Sequence, residues 1–242
     1  MDVARTPTVH DPHPAPPPLS IIVPTLDEAG TIAATLDALR AYRERGAEVI
    51  VVDGGSRDDT VALAEPLATR VGVAAPGRAR QMNAGARLAR AHRLLFLHAD
   101  TRLPPDADRR IAAALAGRHR WGRFDIRLAG RHPLLPVIAR AMTLRSRLTG
   151  IATGDQALFM TREAFDAVGG FPDQPLMEDI EMSRRLKRLS RPACLPGPVV
   201  SDGRRWERRG AWRTLLLMWW LRYRYWRGAA PERLARHYRD VR

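Results

Sequence analysis

The chain alternates short apolar runs with amphipathic stretches. Residues 19–25 read LSIIVPT, a β-branched run that predicts a buried strand. Residues 31–45 put Ile32, Leu36 and Leu39 on one face and predict a helix. Residues 48–52 (EVIVV) predict a second buried strand, ending at Asp53. The polar turn DGGSRDDT follows, and Asp58, Asp59 or Thr60 is suited to cap the next helix. Residues 71–74 predict a weak third strand. Residues 80–92 predict a helix with small residues at Ala84, Ala86 and Ala89, and residues 94–97 (LLFL) a fourth strand. Residues 157–160 (ALFM) predict a strand, followed by a helix that breaks at Gly169-Gly170-Phe171-Pro172. Residues 177–189 predict a helix with acids at its start and bases at its end, which suits the macrodipole.

Continuous apolar strands alternating with helices indicate an α/β fold, with a parallel sheet covered on both faces. Ligands bind such sheets beyond the carboxyl ends of the strands. The polar residues there are Asp27 and Glu28 after the first strand, Asp53 after the second and Asp100 after the fourth. Turns and caps alone explain any one of them. Three strand ends carrying acids point to one acidic crevice.

With 242 residues and 45% hydrophobic content, the chain fits one α/β domain of ordinary globular composition. No apolar run reaches the roughly 20 residues of a membrane span. The one cysteine, Cys194, excludes an internal disulfide and a multi-cysteine zinc site. Residues 1–18 are proline-rich, without the apolar core of a secretory signal, and are expected to form a disordered or extended lead-in. The net charge of +14 is uneven: residues 203–242 hold twelve arginines against Glu207, Glu232 and Asp240, a net of +9. A basic tail suits an acidic partner. These features set three segments: the lead-in 1–18, a main domain 19–200 and a basic aromatic tail 201–242.

Carboxylates at strand ends suit a hard divalent cation with oxygen ligands, Mn²⁺ or Mg²⁺, together with a nucleoside diphosphate. Asp100 is the candidate ligand, and Asp53 is placed to accept hydrogen bonds from a base or ribose. In the loop PGRARQMN, Arg78 and Arg80 offer forked donors for phosphate, beside Gln81 and Asn83. A GxGxxG loop after the first strand and a GxxxxGK[ST] loop are both missing, which argues against a dinucleotide dehydrogenase and a P-loop NTPase.

Six segments in order carry a specific resemblance: LSIIVPTLDE at 19–28, VIVVDGGSRDDT at 49–60, GRARQMNAG at 77–85, LFLHADT at 95–101, GDQALFM at 154–160 and GGFPDQPLMED at 169–179. Together they resemble a family 2 glycosyltransferase of GT-A fold. GRARQMNAG resembles a bacterial set linked to arsenosugar biosynthesis and radical-SAM enzymes. The resemblance implies a Rossmann-like, mostly parallel mixed sheet and a hexosyltransferase-type enzyme. It implies that Pro24, Thr25, Asp27, Glu28 and Asp53 line the nucleotide-sugar pocket, with Arg80 and Asn83 at the base or phosphates. The family's DxD metal motif falls on His98-Ala99-Asp100, so Asp100 binds the metal, and His98, which replaces the first acid, is a second candidate ligand. Asp179 is the implied catalytic base with Glu178 supporting, and Asp155 and Gln156 lie on the acceptor side. Such a set suits an inverting displacement. The QxxRW motif of processive members is missing, and Arg204-Arg205-Trp206 echoes it without the glutamine.

The tail holds Trp206, Trp212, Trp219, Trp220 and Trp226 within 21 residues. Trp212, Leu215, Leu216, Trp219, Trp220, Tyr223 and Trp226 follow helical spacing, flanked by Arg213, Arg222, Arg224 and Arg227. The stripe either packs on the domain as core, the favoured reading, or lies in a membrane interface. In the second case residues 206–227 make a peripheral contact on the inner membrane face of a cytoplasmic enzyme. The apolar and basic stretch 132–148 joins them, and a polyprenyl phosphate acceptor becomes the alternative to a soluble hydroxyl. A nucleic-acid-binding protein using the Arg/Trp tail is the alternative of another class. The local charge and the acidic crevice argue against it. A non-catalytic relative, suggested by His98 alone, is the remaining alternative.

Overall fold

The structure is a computed structural model that describes residues 15–240, apart from the side chains of residues 205, 208, 209, 239 and 240. Most of the proline-rich lead-in therefore lies outside the described residues. Along the chain come β1 (Ser20–Thr25), α1 (Ile32–Ala38), α2 (Arg40–Glu44), β2 (Glu48–Asp53), α3 (Thr60–Ala64), β3 (Arg70–Val73), α4 (Arg78–Leu88) and β4 (Arg93–Phe96). Then follow β5 (Thr101–Arg102), α5 (Ala107–Leu115), β6 (Trp121–Ala129), α6 (Leu135–Thr149), a 3₁₀ turn (Gly154–Gln156), β7 (Leu158–Thr161) and α7 (Arg162–Ala167). The chain ends with α8 (Glu178–Leu186), β8 (Ala193–Asp202), α9 (Arg204–Arg209), α10 (Ala211–Trp226) and α11 (Pro231–Asp240).

The eight strands form one sheet in the order β3-β2-β1-β4-β7-β6-β8-β5. The first four are parallel, so their carboxyl ends share one edge. Strand β7 runs antiparallel to β4 and β6, while β8 runs parallel to β6. The result is the expected mostly parallel mixed sheet. Period-two alternation sends successive β1 residues to opposite faces. Ile21 and Val23 join the core with Ile32, Leu36 and Ile111 of α1 and α5, and Ile22 joins the other with Met82 of α4 and Met182 of α8. Helix α4 lies so close to β1 that a Cβ on Gly85 would come within 2.4 Å of Ile22 Cγ2.

Several expectations need correcting. The helix expected over 31–45 is two, meeting at Leu39. Helix α4 starts two residues early and stops at Leu88, because Ala89 is extended. Helix α8 stops at Leu186 rather than 189. Strands β5, β6 and β8 add to the strands that the apolar runs predict, and β8 runs past residue 200. The aromatic stripe of α10 is not core: Trp212, Trp219 and Trp226 are 64%, 62% and 77% exposed, with Leu216, Trp220 and Tyr223 exposed among them. The opposite side of α10 packs instead, through Leu221 on Leu234 of α11 and Met177 before α8. Ala211 and Trp206 join the main core, which ties the start of the tail to the domain. Among the described residues no helix is long and apolar enough to cross a membrane.

Candidate active site

The parallel strands place Asp27, Glu28, Asp53 and Asp100 along one edge of the sheet. The loops after β1 and β2 brace one another. Asp27 Oδ1 accepts from the Arg57 amide at 2.8 Å, the Asp27 amide donates to Ser56 Oγ, and the Glu28 amide donates to Thr60 Oγ1. Asp27 holds a left-handed φ of 54°, a conformation aspartate tolerates better than most residues. Asp53 is buried, and its carboxylate accepts from the amides of Gly55 and Ser56 at 2.8 Å and from the Ser56 hydroxyl. Thr25 is buried behind half-buried Pro24, and its carbonyl accepts from the Gly54 amide and Gln81 Nε2. Gln81 also donates to Val52 O at 3.0 Å, so it stitches α4 to two strand ends and is not a free donor for phosphate.

Two other residues of this stretch are committed elsewhere. Asn83 makes reciprocal 2.9 Å hydrogen bonds with the backbone of Phe171, which pin the Gly169–Pro172 turn. Both amide groups of Asn83 are thus engaged by the backbone of that turn. Arg80 lies at the surface, where its Nε donates to both carboxylate oxygens of Asp173 at 2.8 and 3.0 Å. Arg78 is the arginine beside the expected catalytic pair, 3.5 Å from Glu178 Oε1 and half-exposed. Burial opposes its charge, but Glu178, then Tyr238, Asp179 and Asp100, outweigh that and raise its pKa.

Burial pushes the Asp100 carboxyl above its usual range; the Thr101 hydroxyl and Arg78 act against the shift, and Glu28 and Asp202 act with it. Glu28 and Asp202 each lie within electrostatic reach of Asp100, but no three His, Cys, Asp or Glu among the described residues are arranged as a metal cluster. A hard divalent ion fits a single carboxylate when waters and donor phosphates complete its shell. His98 is placed differently. Its Nε2 is buried without a hydrogen-bond partner, and a Cβ on Gly154 would come within 2.4 Å of it. Burial, and then Arg78, push its pKa well below 6.5, so the ring is neutral and packs over Gly154.

Asp179 stands at the start of α8, after Met177 with a left-handed φ of 67°. Its Oδ2 accepts from the Gly154 amide at 2.9 Å and its Oδ1 from the Ile180 amide at 2.7 Å. Glu178 is buried beneath it. Burial raises its pKa, Arg78 opposes the shift, and Asp179 adds to it. Arg78, His98, Gly154, Glu178 and Asp179 line one enclosed space of about 10 Å³, the size of one water.

Asp155 is raised by burial, held down by the Thr153 hydroxyl and raised further by Asp179. Gln156 is 0% exposed, with Oε1 accepting from the Thr153 amide at 3.2 Å. It supports the 3₁₀ turn from a buried position. Two arginines that sequence reasoning did not assign also reach this region. Arg145 of α6 and Arg222 of α10 both lie within electrostatic reach of Asp155 and Asp179. Each is one helix arginine among many, so no pattern marks it.

The likenesses to known proteins agree with this geometry. A family profile described as glycosyl transferase family 2 matches residues 20–168. A PGL/p-HBAD biosynthesis glycosyltransferase of Mycobacterium tuberculosis is 36% identical over 112 residues, 43% of this chain and 44% of that protein. The chain thus spans less than half the length of that curated relative. Staphylococcus aureus TarS 1–349 in complex with UDP superposes with a TM-score of 0.62 at 20% identity, over 76% of this chain and 60% of that one. Mannosyltransferase PcManGT from Pyrobaculum calidifontis, in complex with GDP-Man and Mn²⁺, superposes with a TM-score of 0.57 at 25% identity, over 77% and 56%. A GT-A-like sheet with acids at its carboxyl edge, matched by that profile over most of its length, makes this chain a member of glycosyl transferase family 2.

Proposed function

We propose that the protein is an inverting transferase that moves a sugar from a nucleoside diphosphate donor to an acceptor hydroxyl, with Asp179 as general base. The observation that carries this reading is the seat of Asp179. Two backbone amides fix its carboxylate at 2.9 and 2.7 Å, beside Arg78 and on the same edge as Asp100. Charge-assisted bonds from amides hold a carboxylate in one orientation. Asp179 takes the acceptor hydroxyl proton. The acceptor oxygen then forms a bond to the anomeric carbon, and the bond from that carbon to the diphosphate oxygen breaks with its electron pair leaving on the nucleotide. Arg78 offsets the charge that builds on the leaving phosphate.

Asp100 is the residue we assign to a divalent ion, Mn²⁺ or Mg²⁺, which when bound supplies Lewis-acid stabilisation of the diphosphate. The buried Nε2 of His98 faces Gly154, so we do not assign it as a ligand. The braced loops at Pro24, Thr25, Asp27, Glu28 and Asp53 form the rigid wall for the nucleotide. The finer likeness to arsenosugar-linked enzymes rests on GRARQMNAG, where Gln81, Asn83 and Gly85 have structural tasks.

Thermal denaturation with UDP, GDP, dTDP, CDP and ADP, each with and without Mn²⁺ or Mg²⁺, tests this reading. A ligand of the folded state at a hundredfold excess over its Kd adds about 2.7 kcal/mol. One nucleotide giving a metal-dependent shift supports the transferase and names the donor base. A flat response to the whole panel refutes it.

A second reading concerns the acceptor's setting. The exposed Trp212, Leu216, Trp219, Tyr223 and Trp226 recur at helical spacing along α10. Val137, Leu144 and Leu148 of α6 are exposed in the same way. These faces, with Arg213, Arg224 and Arg227 exposed beside the first, favour a peripheral membrane contact and a lipid-linked acceptor.

A further inference from the structure

Arg145 is the most poorly satisfied charged group near the proposed base. Its Nε and Nη2 are buried, and neither has a hydrogen-bond partner. Among the described residues Arg222 likewise forms no hydrogen bond or ion pair, though Asp155 and Asp179 both act on it. The acids are engaged elsewhere, Asp155 with the Thr153 hydroxyl and Asp179 with the amides of Gly154 and Ile180. A third arginine, Arg123, is 0% exposed and paired with Asp125, and it adds repulsion at Arg145. Burial and the facing Arg222 lower the Arg145 pKa to about 10, so it still carries its charge at neutral pH. Buried guanidinium nitrogens without acceptors cost stability, and an anion that supplies the missing acceptors is one explanation for such a group in a native fold. The planar fork of arginine is matched by the oxygens of a phosphate or carboxylate.

We propose that Arg145 and Arg222 form an oxyanion subsite beside Asp179, and that the acceptor carries a phosphate group seated there while its hydroxyl meets the base. Two guanidinium groups match the charge of a phosphate monoester. This rests on the transferase reading for the word acceptor; the anion site itself does not. Positions on α6 and α10, the two helices with exposed apolar faces, allow the phosphate to come from a lipid carrier or a soluble one.

The test is thermal denaturation of the full chain in inorganic phosphate against chloride at equal ionic strength. Wild type, R145Q, R222Q and R78Q are compared. Wild type and R78Q are expected to gain stability with phosphate, whereas R145Q and R222Q weaken the apparent phosphate affinity at least tenfold. R145Q in chloride is expected to melt no lower than wild type, because it removes an unpaired buried charge. A wild type unmoved by phosphate, an undiminished response in both R145Q and R222Q, or loss of the response in R78Q alone overturns the subsite. Nucleoside diphosphates are run on the same samples. No nucleotide shift in wild type defeats the transferase reading and leaves a phosphate result standing. A nucleotide shift without a phosphate response defeats only the subsite. Phosphatidylcholine vesicles containing phosphatidic acid, against charge-matched phosphatidylglycerol, separate the sources. An R145Q-sensitive preference for phosphatidic acid assigns a lipid carrier, and a phosphate response without that preference assigns a soluble one.

Discussion

The two sides of the crevice are built on opposite rules. On the side of β1 and β2, polar groups are spent on one another: Asp27 on Ser56 and Arg57, Asp53 on Gly55 and Ser56, Gln81 on Thr25 and Val52. On the side of α6, α8 and α10, charges are buried and left strained. Burial raises Glu178 and Asp155, and Arg145 keeps two nitrogens without acceptors. The first arrangement gives a rigid wall, which suits a nucleotide of fixed shape. The second keeps interaction energy available for groups that arrive with substrate, as sites of chemistry do. Loss of a residue on the second side should therefore cost turnover more than stability, and the reverse should hold on the first.

The sharpest way to break this contrast is Asp179→Asn. Turnover should fall by about 10²–10⁴-fold, the usual worth of a general base. The nucleotide-induced shift in Tm should survive. A variant with near-normal turnover removes Asp179 as the base. Asp100→Asn should lower turnover by about 10²–10³-fold, on the scale of losing one preorganised electrostatic partner. It should also remove the metal-dependent part of the nucleotide shift, and persistence of that part removes Asp100 as the ligand.

Gly154→Ala tests the joint between the sides. The new Cβ would meet His98 Nε2 at 2.4 Å, beside the amide that holds Asp179. Overpacking of this kind costs about 1–3 kcal/mol. Both Tm and turnover should drop, and adding His98→Ala should restore much of the stability. No rescue means the collision lies elsewhere. On the wall, Gln81→Met removes one donor each from the carbonyls of Thr25 and Val52, which keep the Gly54 amide and the Thr25 hydroxyl, at a cost of about 0.5–1.5 kcal/mol per bond lost. Here Tm should fall while turnover at a permissive temperature stays within about threefold, since such a loss acts on folding rather than on the barrier. A larger loss of turnover places Gln81 in the chemistry.

How far the sequence discloses all this depends on range. Strands β1, β2 and β4 are continuous apolar runs, so their place and the acids at their ends were readable. The alternation of Phe124, Ile126 and Leu128 with charged residues in β6 is an equally local strand signal. Strand β8 contains Pro196 and Pro198, which argue locally against a strand, and only its parallel pairing with β6 overrides them. The site follows the same division. Asp100 and Asp179 sit in local motifs. Arg145 and Arg222 come together across 77 residues of chain, through packing that no local pattern encodes. The α10 stripe has helical spacing whether it faces core or solvent, so periodicity could not decide which.

Glu178→Gln isolates the strain on the catalytic side with the smallest change of shape. Glu178 is 4% exposed, and burial raises its pKa above the ordinary 4.5 despite Arg78 at 3.5 Å. A carboxyl whose folded pKa is raised contributes stability that is fully present below the unfolded value and is lost as pH rises through the folded one. At pH 7, above the unfolded value, this carboxyl is thus a net cost that glutamine removes at nearly equal volume. Arg78 loses its partner but is half-exposed, so water takes up much of its charge. The variant should melt slightly above wild type at pH 7, by less than about 1 kcal/mol, the range of mild substitutions. The gain should shrink as pH falls and vanish below about 4.5, where both states of the wild-type residue are protonated. Melting curves from pH 7 to 4 read this directly. A variant that melts below wild type at pH 7 would mean that the pair with Arg78 outweighs burial. The catalytic side would then be as well satisfied as the nucleotide wall, and the contrast between them would rest on Arg145 and Arg222 alone.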